Sequence, residues 1–316
     1  MQIVKQNAFD KWDLPDKSVQ AIITSPPYWN KRIYDIPDII IGGDVNCSHN
    51  FVKNYSFDKK ESFICNTCKA WKGQYGLEKN PEMFISHSLL WISEAYRVLK
   101  DNGIFFLNIG DSFFNKRKQL IPQKIAIEMD KSRWILRNDI IWYKKTCIPE
   151  SVQDRFSNKY ESILFFVKSR EYKSFLNNVK EELAETSIAR YKGNYFKAKF
   201  DNMPKEKSRE NARKNALKKI NEGDTKQKNP GDVWSFSISC QDFSHVAMWS
   251  EDLTKRMIEF STEKNDIILD PFCGSSTTVT EAEKMFRKGI GFDLGYFFIS
   301  NRRSKVIQTI FNRKEL

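Results

Sequence analysis

A buried strand that ends in a proline-rich polar turn constrains this chain more than any other feature of its sequence. The run from Val19 to Ile23 has the length and apolar, β-branched content of a strand buried on both faces. It leads at once into Thr24-Ser25-Pro26-Pro27-Tyr28-Trp29. Each proline fixes its own φ angle and has no N–H to donate, and Pro27 also holds Pro26 extended. The sequence therefore predicts a stiff turn at the end of a core strand.

The groups in this turn suit a flat ring that carries an amino group. The Ser25 hydroxyl and the backbone carbonyls can accept N–H protons, and Tyr28 offers an aromatic face for stacking. On this interpretation the ring of Tyr28 matters more than its hydroxyl. The alternative is a proline-rich loop whose aromatic residues plug the core, and the turn by itself does not choose between the two.

A second buried strand, Ile267 to Leu269, leads into a loop of small residues near the other end of the chain. The loop reads Asp270-Pro271-Phe272-Cys273-Gly274-Ser275-Ser276-Thr277-Thr278 and is followed by a helical pattern. Gly274 lets a ligand approach the backbone closely, and the start of a helix offers free N–H groups. Asp293 ends a further short strand, where doubly wound folds place an acid for ribose hydroxyls. A strand–turn–helix without a ligand can also use these residue types.

Together the strings TSPPYW and DPFCGSSTT resemble the catalytic motif and the cofactor loop of the amino-methyltransferases that modify DNA with S-adenosylmethionine. The resemblance implies an α/β fold with a doubly wound, mostly parallel sheet of the Rossmann-like methyltransferase type. The catalytic string comes first here, as in the beta-ordered, circularly permuted class of that family. The implied catalytic residues are Ser25, Pro26, Pro27 and Tyr28. The implied cofactor-binding residues are Asp270, Pro271, Phe272, Gly274, Ser275, Thr277 and Asp293.

The resemblance also bears on the target base. Family members that methylate the N4 amine of cytosine usually have serine before the two prolines, whereas enzymes that methylate adenine N6 usually have Asp or Asn. Ser25 therefore favours a site-specific cytosine-N4 methyltransferase of a restriction-modification system, acting on a base flipped out of the duplex. Adenine N6 methylation is the alternative within the enzyme class. A non-catalytic, zinc-containing DNA-binding subunit is the alternative from another class.

Cysteine spacing points to a metal in a segment that otherwise has little pattern. Residues 30–80 read as a long irregular stretch, which needs an explanation inside a compact domain. Cys47, His49, Cys65 and Cys68 supply three thiolates and one imidazole, a complete tetrahedral set for structural zinc. Cysteines buried without a metal are the alternative interpretation.

Composition changes at about residue 169 and again at about residue 231, and with the resemblance this implies three parts. Residues 1–168 are expected to be the catalytic half of the methyltransferase domain, with a zinc-knuckle insert at 43–78. Residues 169–231 are expected to be a target-recognition insert, and residues 232–316 the cofactor-binding half. Apolar periodicity fades in the insert, and the stretch 197–228 carries 11 basic against 5 acidic residues.

The net charge of +12 over 316 residues suits a polyanionic partner, which the resemblance identifies as double-stranded DNA. A restriction endonuclease is expected as a functional partner. The sequence contains no apolar run long enough to span a bilayer and no signal-peptide pattern, so a cytoplasmic, nucleoid-associated protein is expected.

The middle of the chain contributes further predicted elements. A helix is expected from Pro81 to Leu99, with His87 on it as a packing or surface residue without an evident partner. Asp101-Asn102-Gly103 is expected to close this helix before a strand from Ile104 to Ile109. Two later strands, 134–142 and 160–167, resemble the final antiparallel pair of the family.

Overall fold

The computed structural model of the protein describes residues 1–58, 60–145, 150–186, 218, 227–237 and 250–295. Clustering of contacts divides the chain into a larger unit, Met1–Phe175 with Asp232–Leu316, and a smaller unit, Leu176–Gly231. Most of the basic stretch 197–228 lies outside the described residues.

The larger unit is built on an eight-stranded sheet. With strands numbered along the chain, the spatial order is β1 (Gln2–Lys5), β16 (Lys288–Asp293), β15 (Ile267–Asp270), β2 (Val19–Thr24), β7 (Leu99–Ile109), β11 (Tyr160–Val167), β10 (Ile135–Lys144) and β14 (Val233–Phe236). Neighbouring strands are parallel except at β11, which runs antiparallel to both β7 and β10. The sheet is thus mostly parallel, as the sequence predicts.

Helices cover both faces of this sheet. They are α1 (Pro81–Val98), α2 (Ile121–Lys131), α3 (Glu251–Ser261) and α4 (Thr277–Lys284). Successive residues of β7 point to opposite faces, so Phe105 packs into the cluster that contains α1 and α2, and Phe106 packs into the cluster that contains α3. Burying a phenylalanine side chain contributes roughly 1.5–3 kcal/mol, and both residues are fully buried.

Helix α1 begins where the sequence predicts and ends one residue earlier than expected. The Asn80 side chain accepts a hydrogen bond from the Met83 N–H, and Pro81 occupies the first turn. The prediction that Asp101-Asn102-Gly103 closes the helix is wrong, because these residues lie inside β7. The register against β2 shifts there, so the extra residues form an irregularity in the strand.

The segment 30–80 is more regular than the sequence suggests. It contains an antiparallel four-stranded sheet in the order β3 (Ile39–Ile41), β6 (Trp71–Gly73), β5 (Lys60–Cys65) and β4 (Phe51–Phe57). The prediction of an irregular segment is therefore wrong. No residue of β4 is fully buried, so this sheet has a small core and carries a weak apolar signal.

The remaining described elements are short. A two-stranded ribbon of β8 (Phe113–Phe114) and β9 (Arg117–Lys118) follows β7. The smaller unit contains a 3₁₀ turn, Leu176–Val179, and a pair of strands, β12 (Glu181–Glu182) and β13 (Gln227–Lys228). Within the described part of the chain, no helix combines the length and the apolar character that crossing a membrane requires.

Candidate functional site

One edge of the large sheet collects most of the residues that the sequence singles out. The carboxyl ends of the parallel strands β2, β7, β15 and β16 meet there, and antiparallel β11 begins at the same edge. The turn after β2 and the loop after β15 therefore start from adjacent strands. The Thr24 hydroxyl links them by donating to Asp270 Oδ1 at 2.6 Å.

The turn after β2 takes part in a polar network with residues from three other strands. Ser25 Oγ lies 3.0 Å from Tyr28 Oη, and Tyr28 Oη donates to Glu161 Oε2 at 2.8 Å. Asn108 Nδ2 lies 2.6 Å from Tyr28 Oη and 2.8 Å from Glu161 Oε2. Lys144 forms an ion pair with Glu161 Oε1. Ser25 is thus the end of a hydrogen-bonded chain rather than an isolated hydroxyl.

Tyr28 is held as a neutral hydroxyl. Burial raises its pKa well above the ordinary value, and the nearby Glu161 carboxylate raises it further, because both disfavour a phenolate. The close approach of its ring to β7 requires a glycine: a Cβ on Gly110 would lie 2.7 Å from Tyr28 Cε2. Gly110, the first residue after β7, therefore leaves the space into which the Tyr28 ring fits.

Sequence reasoning did not identify Asn108 and Glu161 as site residues. Asn108 is the next-to-last residue of β7, and Glu161 is the second residue of β11. A polar residue at the end of one strand and an acid at the start of its antiparallel neighbour meet at the same edge. The sequence predicts that the 160–167 strand is antiparallel to the 134–142 strand. It does not predict that the 160–167 strand also pairs with β7, and this second pairing is what brings Glu161 next to Asn108.

The residues beyond Tyr28 are fixed by the end of the segment 30–80. Trp29 Nε1 donates to the Glu78 carbonyl at 2.9 Å, and the fully buried Glu78 carboxylate accepts from the Gly76 N–H. His87 Nδ1 lies 3.0 Å from Glu78 Oε1, and its ring packs on Trp71. The expectation that His87 has no partner is wrong. Burial raises the pKa of Glu78, and the histidine contact opposes that rise.

In the loop after β15, Asp270 braces the loop from within. Its side chain is 5% exposed, and Oδ1 accepts from the Thr24 hydroxyl and from the Phe272 N–H at 3.1 Å. Burial raises the pKa of Asp270 to about 6. The Phe272 ring packs edge-on against Trp91 in the core, with ring centroids 5.0 Å apart. Both side chains are used to hold the loop.

Gly274 is the open point of this loop. Its φ angle is +46°, a conformation that suits glycine, and a Cβ placed there would meet no atom of the described residues within 4 Å. The Gly274 N–H donates to Asp293 Oδ2 at 3.0 Å, which ties the loop to the end of β16. Ser275 Oγ and Thr277 Oγ1 lie 3.4 Å apart beside the start of α4. The structure thus brings together an open glycine, two hydroxyls and a carboxylate.

The four predicted metal ligands converge at the end of the four-stranded sheet. Their ligand atoms lie within 4.8 Å of one another: those of Cys47, His49, Cys65 and Cys68. The Cys47 and Cys65 sulfurs are 3.8 Å apart, as expected for two thiolates at about 2.3 Å from one tetrahedral zinc. The backbone N–H of Cys68 lowers the pKa of the Cys65 thiol to about 5, which favours the thiolate that a metal binds.

A family model described as DNA methylase (N6_N4_Mtase) matches residues 19–301. Type II methyltransferase M.MwoI of Methanothermobacter wolfeii is 30% identical over 277 residues, which cover 86% of this chain. The chain spans only 28% of the length of that relative.

Two solved structures resemble the chain along nearly its whole length. PvuII DNA methyltransferase (cytosine-N4-specific) gives a TM-score of 0.62 at 18% identity and covers 98% of this chain and 91% of that one. A protein of Thermus thermophilus, provisionally assigned as a DNA modification methylase and complexed with S-adenosyl-L-methionine, gives 0.55 at 18% identity, covering 96% and 92%. At such identities the likeness establishes the fold alone.

Proposed function

Since the chain belongs to the DNA methylase family, we propose that it transfers a methyl group from S-adenosylmethionine to the N4 amine of a cytosine flipped out of double-stranded DNA. One observation carries the proposal. Ser25 stands at the sheet edge with Tyr28 beside it as a hydrogen-bond partner, next to the loop that Gly274 leaves open. An acceptor for an amine and a site for a cofactor are thereby adjacent.

The residues of the turn supply what a weakly nucleophilic amine needs. The lone pair of an aromatic amine is delocalised into its ring. Hydrogen bonds from the amine to Ser25 Oγ and to the Pro26 carbonyl draw the nitrogen towards tetrahedral geometry and localise that pair. Pro26 and Pro27 keep these acceptors in place, so little reorganisation is needed during the reaction. S-adenosylmethionine supplies an activated methyl group when bound.

The open loop fits that cofactor. The space beside Gly274 admits a ligand close to the backbone, and Ser275 and Thr277 offer hydroxyls at the start of α4. Asp293 lies where a doubly wound fold binds ribose hydroxyls. We assign Asp270, Pro271 and Phe272 to shaping the loop, because the carboxylate of Asp270 and the ring of Phe272 are already engaged inside the protein.

The order of these two sites along the chain supports the circularly permuted, beta-ordered class. The turn at Ser25 precedes the loop at Gly274, and residues 176–231 fall between them as a separate unit. On this proposal residues 169–231 are the target-recognition insert. The parts on either side, 1–168 and 232–316, are the catalytic and cofactor-binding halves of one domain.

A structural zinc is proposed for the cysteine and histidine cluster. Cys47 and His49 precede β4, Cys65 ends β5, and Cys68 lies in the turn before β6. The metal would join three strand ends of a sheet whose own core is small. The four protein ligands would leave no position for water, so the role of zinc is structural.

The proposed reaction is tested by its product. Duplex DNA treated with the protein and S-adenosylmethionine is digested to nucleosides and analysed by mass spectrometry. N4-methylcytosine is the expected product. N6-methyladenine would establish the alternative target, and the absence of any methylated nucleoside, together with retained DNA binding, would favour a non-catalytic DNA-binding subunit.

Filling the space at Gly274 is expected to weaken S-adenosylmethionine binding by at least about tenfold. Gly274→Val tests this, but its side chain also strains a backbone with positive φ. Gly274→Asn is the sharper variant, because asparagine tolerates that conformation and still fills the space. Gly42→Asn is the matched control, since Gly42 also has positive φ and open surroundings. Titration calorimetry on folded Gly274→Asn protein that gives the wild-type Kd would exclude this site.

DNA binding should weaken steeply with salt, because the insert concentrates positive charge. Log K is expected to fall linearly with log salt, by about 0.9 for each phosphate contact. Replacing Lys205, Lys207, Arg209, Arg213 and Lys214 with Gln should flatten the slope. Replacing Lys124 and Lys131 of α2, which are paired with Glu82 and Glu128, should not. Equal slopes for the wild type and the insert variant would place the DNA contacts elsewhere.

A further inference from the structure

We propose that Glu161 is a positioning residue that makes the site select an amino group over a carbonyl, because it sets the direction of the hydrogen bonds that end at Ser25. The inference rests on the proposed function, since it concerns the base that Ser25 receives. It adds a residue from the antiparallel strand β11 to a site that the sequence placed only on the turn after β2 and the loop after β15.

The Glu161 carboxylate is held on both of its oxygens. Oε1 forms the ion pair with Lys144, and Oε2 accepts from Asn108 Nδ2 at 2.8 Å. The side chains of Lys144 and Glu161 are 20% and 14% exposed, so solvent competes little for either group. The carboxylate also fixes the Asn108 amide, because only the nitrogen end can face a carboxylate oxygen at that distance.

The next hydrogen bond in the chain has its direction set by Glu161. A carboxylate oxygen accepts hydrogen bonds and has none to give, so the contact of 2.8 Å between Oε2 and Tyr28 Oη uses the hydrogen of tyrosine. Asn108 Nδ2 also faces Tyr28 Oη at 2.6 Å and must donate to it. Tyr28 therefore has no hydrogen left for Ser25.

The direction of the last hydrogen bond follows. Ser25 Oγ lies 3.0 Å from Tyr28 Oη, and with the hydrogen of tyrosine committed to Glu161, Ser25 must be the donor in this pair. The hydrogen of Ser25 then points into the protein. Asn108 Nδ2 also lies 3.3 Å from Ser25 Oγ, but its two hydrogens have closer acceptors in Tyr28 Oη and Glu161 Oε2, so the lone pairs of Ser25 remain for a ligand. The network turns a hydroxyl that could donate or accept into an acceptor.

An obligate acceptor distinguishes between classes of base. The N4 group of cytosine and the N6 group of adenine donate hydrogens, whereas thymine, uracil and guanine present a carbonyl at the equivalent position. A carbonyl facing Ser25 would place two acceptors against each other with no hydrogen between them. Glu161 thus rejects keto bases from a distance, without touching the base itself.

This assignment gives the Tyr28 hydroxyl a role that the sequence did not suggest. The sequence favours the ring as the useful part of Tyr28, and on that view Tyr28→Phe keeps most of the activity. In the structure the hydroxyl is the relay between Glu161 and Ser25. Tyr28→Phe should release the hydrogen of Ser25 to rotate towards the base, and part of the discrimination should be lost.

The variant that tests the proposal is Glu161→Gln. Lys144 retains the oxygen end of the new amide, so the NH₂ end takes the place of Oε2 and donates to Tyr28 Oη. Asn108 then turns its amide oxygen towards this NH₂ group, because two NH₂ groups cannot face each other. The hydrogen of Tyr28 can then go to Ser25 or to Asn108, so Ser25 is no longer held as an acceptor and can present a hydrogen to the base. Glu82→Gln is the matched control. Glu82 also forms an ion pair with a lysine, Lys124, at a distance of 3.0 Å, and neither residue belongs to this network.

The measurement uses two unmethylated duplexes. The first contains the sequence that the protein methylates, and in the second the target base is replaced by its keto counterpart. Uracil replaces cytosine, or hypoxanthine replaces adenine. The ratio of the two Kd values is compared between proteins, since the cost of unpairing each base is the same for all of them. We expect Glu161→Gln to shift this ratio towards the keto base by about tenfold and to lower kcat at least tenfold. The control should leave both unchanged.

A double variant separates an effect through Tyr28 from a general loss of structure. If Glu161 acts through the tyrosine hydroxyl, Glu161→Gln should add little to the change in ratio that Tyr28→Phe causes, and the two effects should not be additive. Tyr28→Phe removes a single oxygen, so it also provides the test should Glu161→Gln fail to fold.

Different results would refute the proposed methylation and the role of Glu161. Wild-type protein that methylates no nucleoside would refute the proposed function and the inference together. Wild-type protein that methylates DNA, with Glu161→Gln and Tyr28→Phe both keeping the wild-type Kd ratio, would refute the role of Glu161 alone.

Discussion

Ser25→Ala is expected to lower kcat for DNA methylation by about a hundredfold while changing the Kd for DNA by less than about threefold. In the proposed mechanism the hydroxyl is one of two acceptors for the target amine, and its hydrogen bond strengthens as the nitrogen becomes tetrahedral. Its loss therefore raises the barrier more than it weakens the bound ground state. Single-turnover methylation rates together with DNA-binding titrations separate the two effects.

Other substitutions refine this result. Ser25→Asn and Ser25→Asp should retain part of the activity, because both side chains offer an acceptor oxygen, and either could relax the preference between cytosine and adenine. Ser86→Ala is a suitable control, since Ser86 lies exposed on α1 and its hydroxyl donates to the Glu82 carbonyl of the same helix. If Ser25→Ala methylates DNA at the wild-type rate, the turn after β2 is only structural and the proposed mechanism is wrong.

Cys65→Ser is expected to reduce bound zinc from about one equivalent per chain to nearly none. Cys65 is fully buried at the end of β5, and its sulfur lies 3.8 Å from that of Cys47. Metal loss should lower the free energy of unfolding of the four-stranded sheet by several kcal/mol, because few of its side chains are buried. Elemental analysis and hydrogen exchange across residues 39–73 measure the two effects.

Loss of the metal in Cys65→Ser should also disturb the turn after β2, although Cys65 is not part of that turn. The same segment ends at Gly76 and Glu78, which hold Trp29 beside Tyr28. Cys65→Ser should therefore reduce methylation through loss of order rather than by removing a reacting group. Thr67→Ala is the control within the same Cys-x-x-Cys turn, and it should keep the metal. Wild-type protein purified without chelators that contains no zinc would refute the metal site.

The central strands of the large sheet and the start of α1 can be predicted from the sequence, because they depend on residues that are close together in the chain. Runs such as Val19 to Ile23 are apolar throughout their length, and only the centre of a parallel sheet buries a strand on both faces. The start of α1 can be read directly, since Pro81 suits the first turn of a helix and the structure begins the helix there. Family resemblance extends this frame to the turn at Ser25 and the loop at Gly274.

Weak local patterns left other features open. The segment 30–80 has half-exposed strands, such as Phe51–Phe57, and a small core, so neither alternation nor a continuous apolar run marks them. His87 gained a partner only when Glu78, nine residues away, was placed against it. In the same way, only the structure shows that Asp270 Oδ1 accepts hydrogen bonds from Thr24 and from the backbone of its own loop.

The sequence by itself determined that a strand ends in Ser25-Pro26-Pro27-Tyr28, since stiffness and hydrogen-bonding groups belong to the residues themselves. Only the tertiary structure decided that β11 runs antiparallel beside β7, which places Glu161 against Tyr28 and Asn108. The physical reason is that a hydroxyl has no intrinsic direction as donor or acceptor. Its direction is set by its partners, and the partner that decides it here is 133 residues away from Tyr28 along the chain.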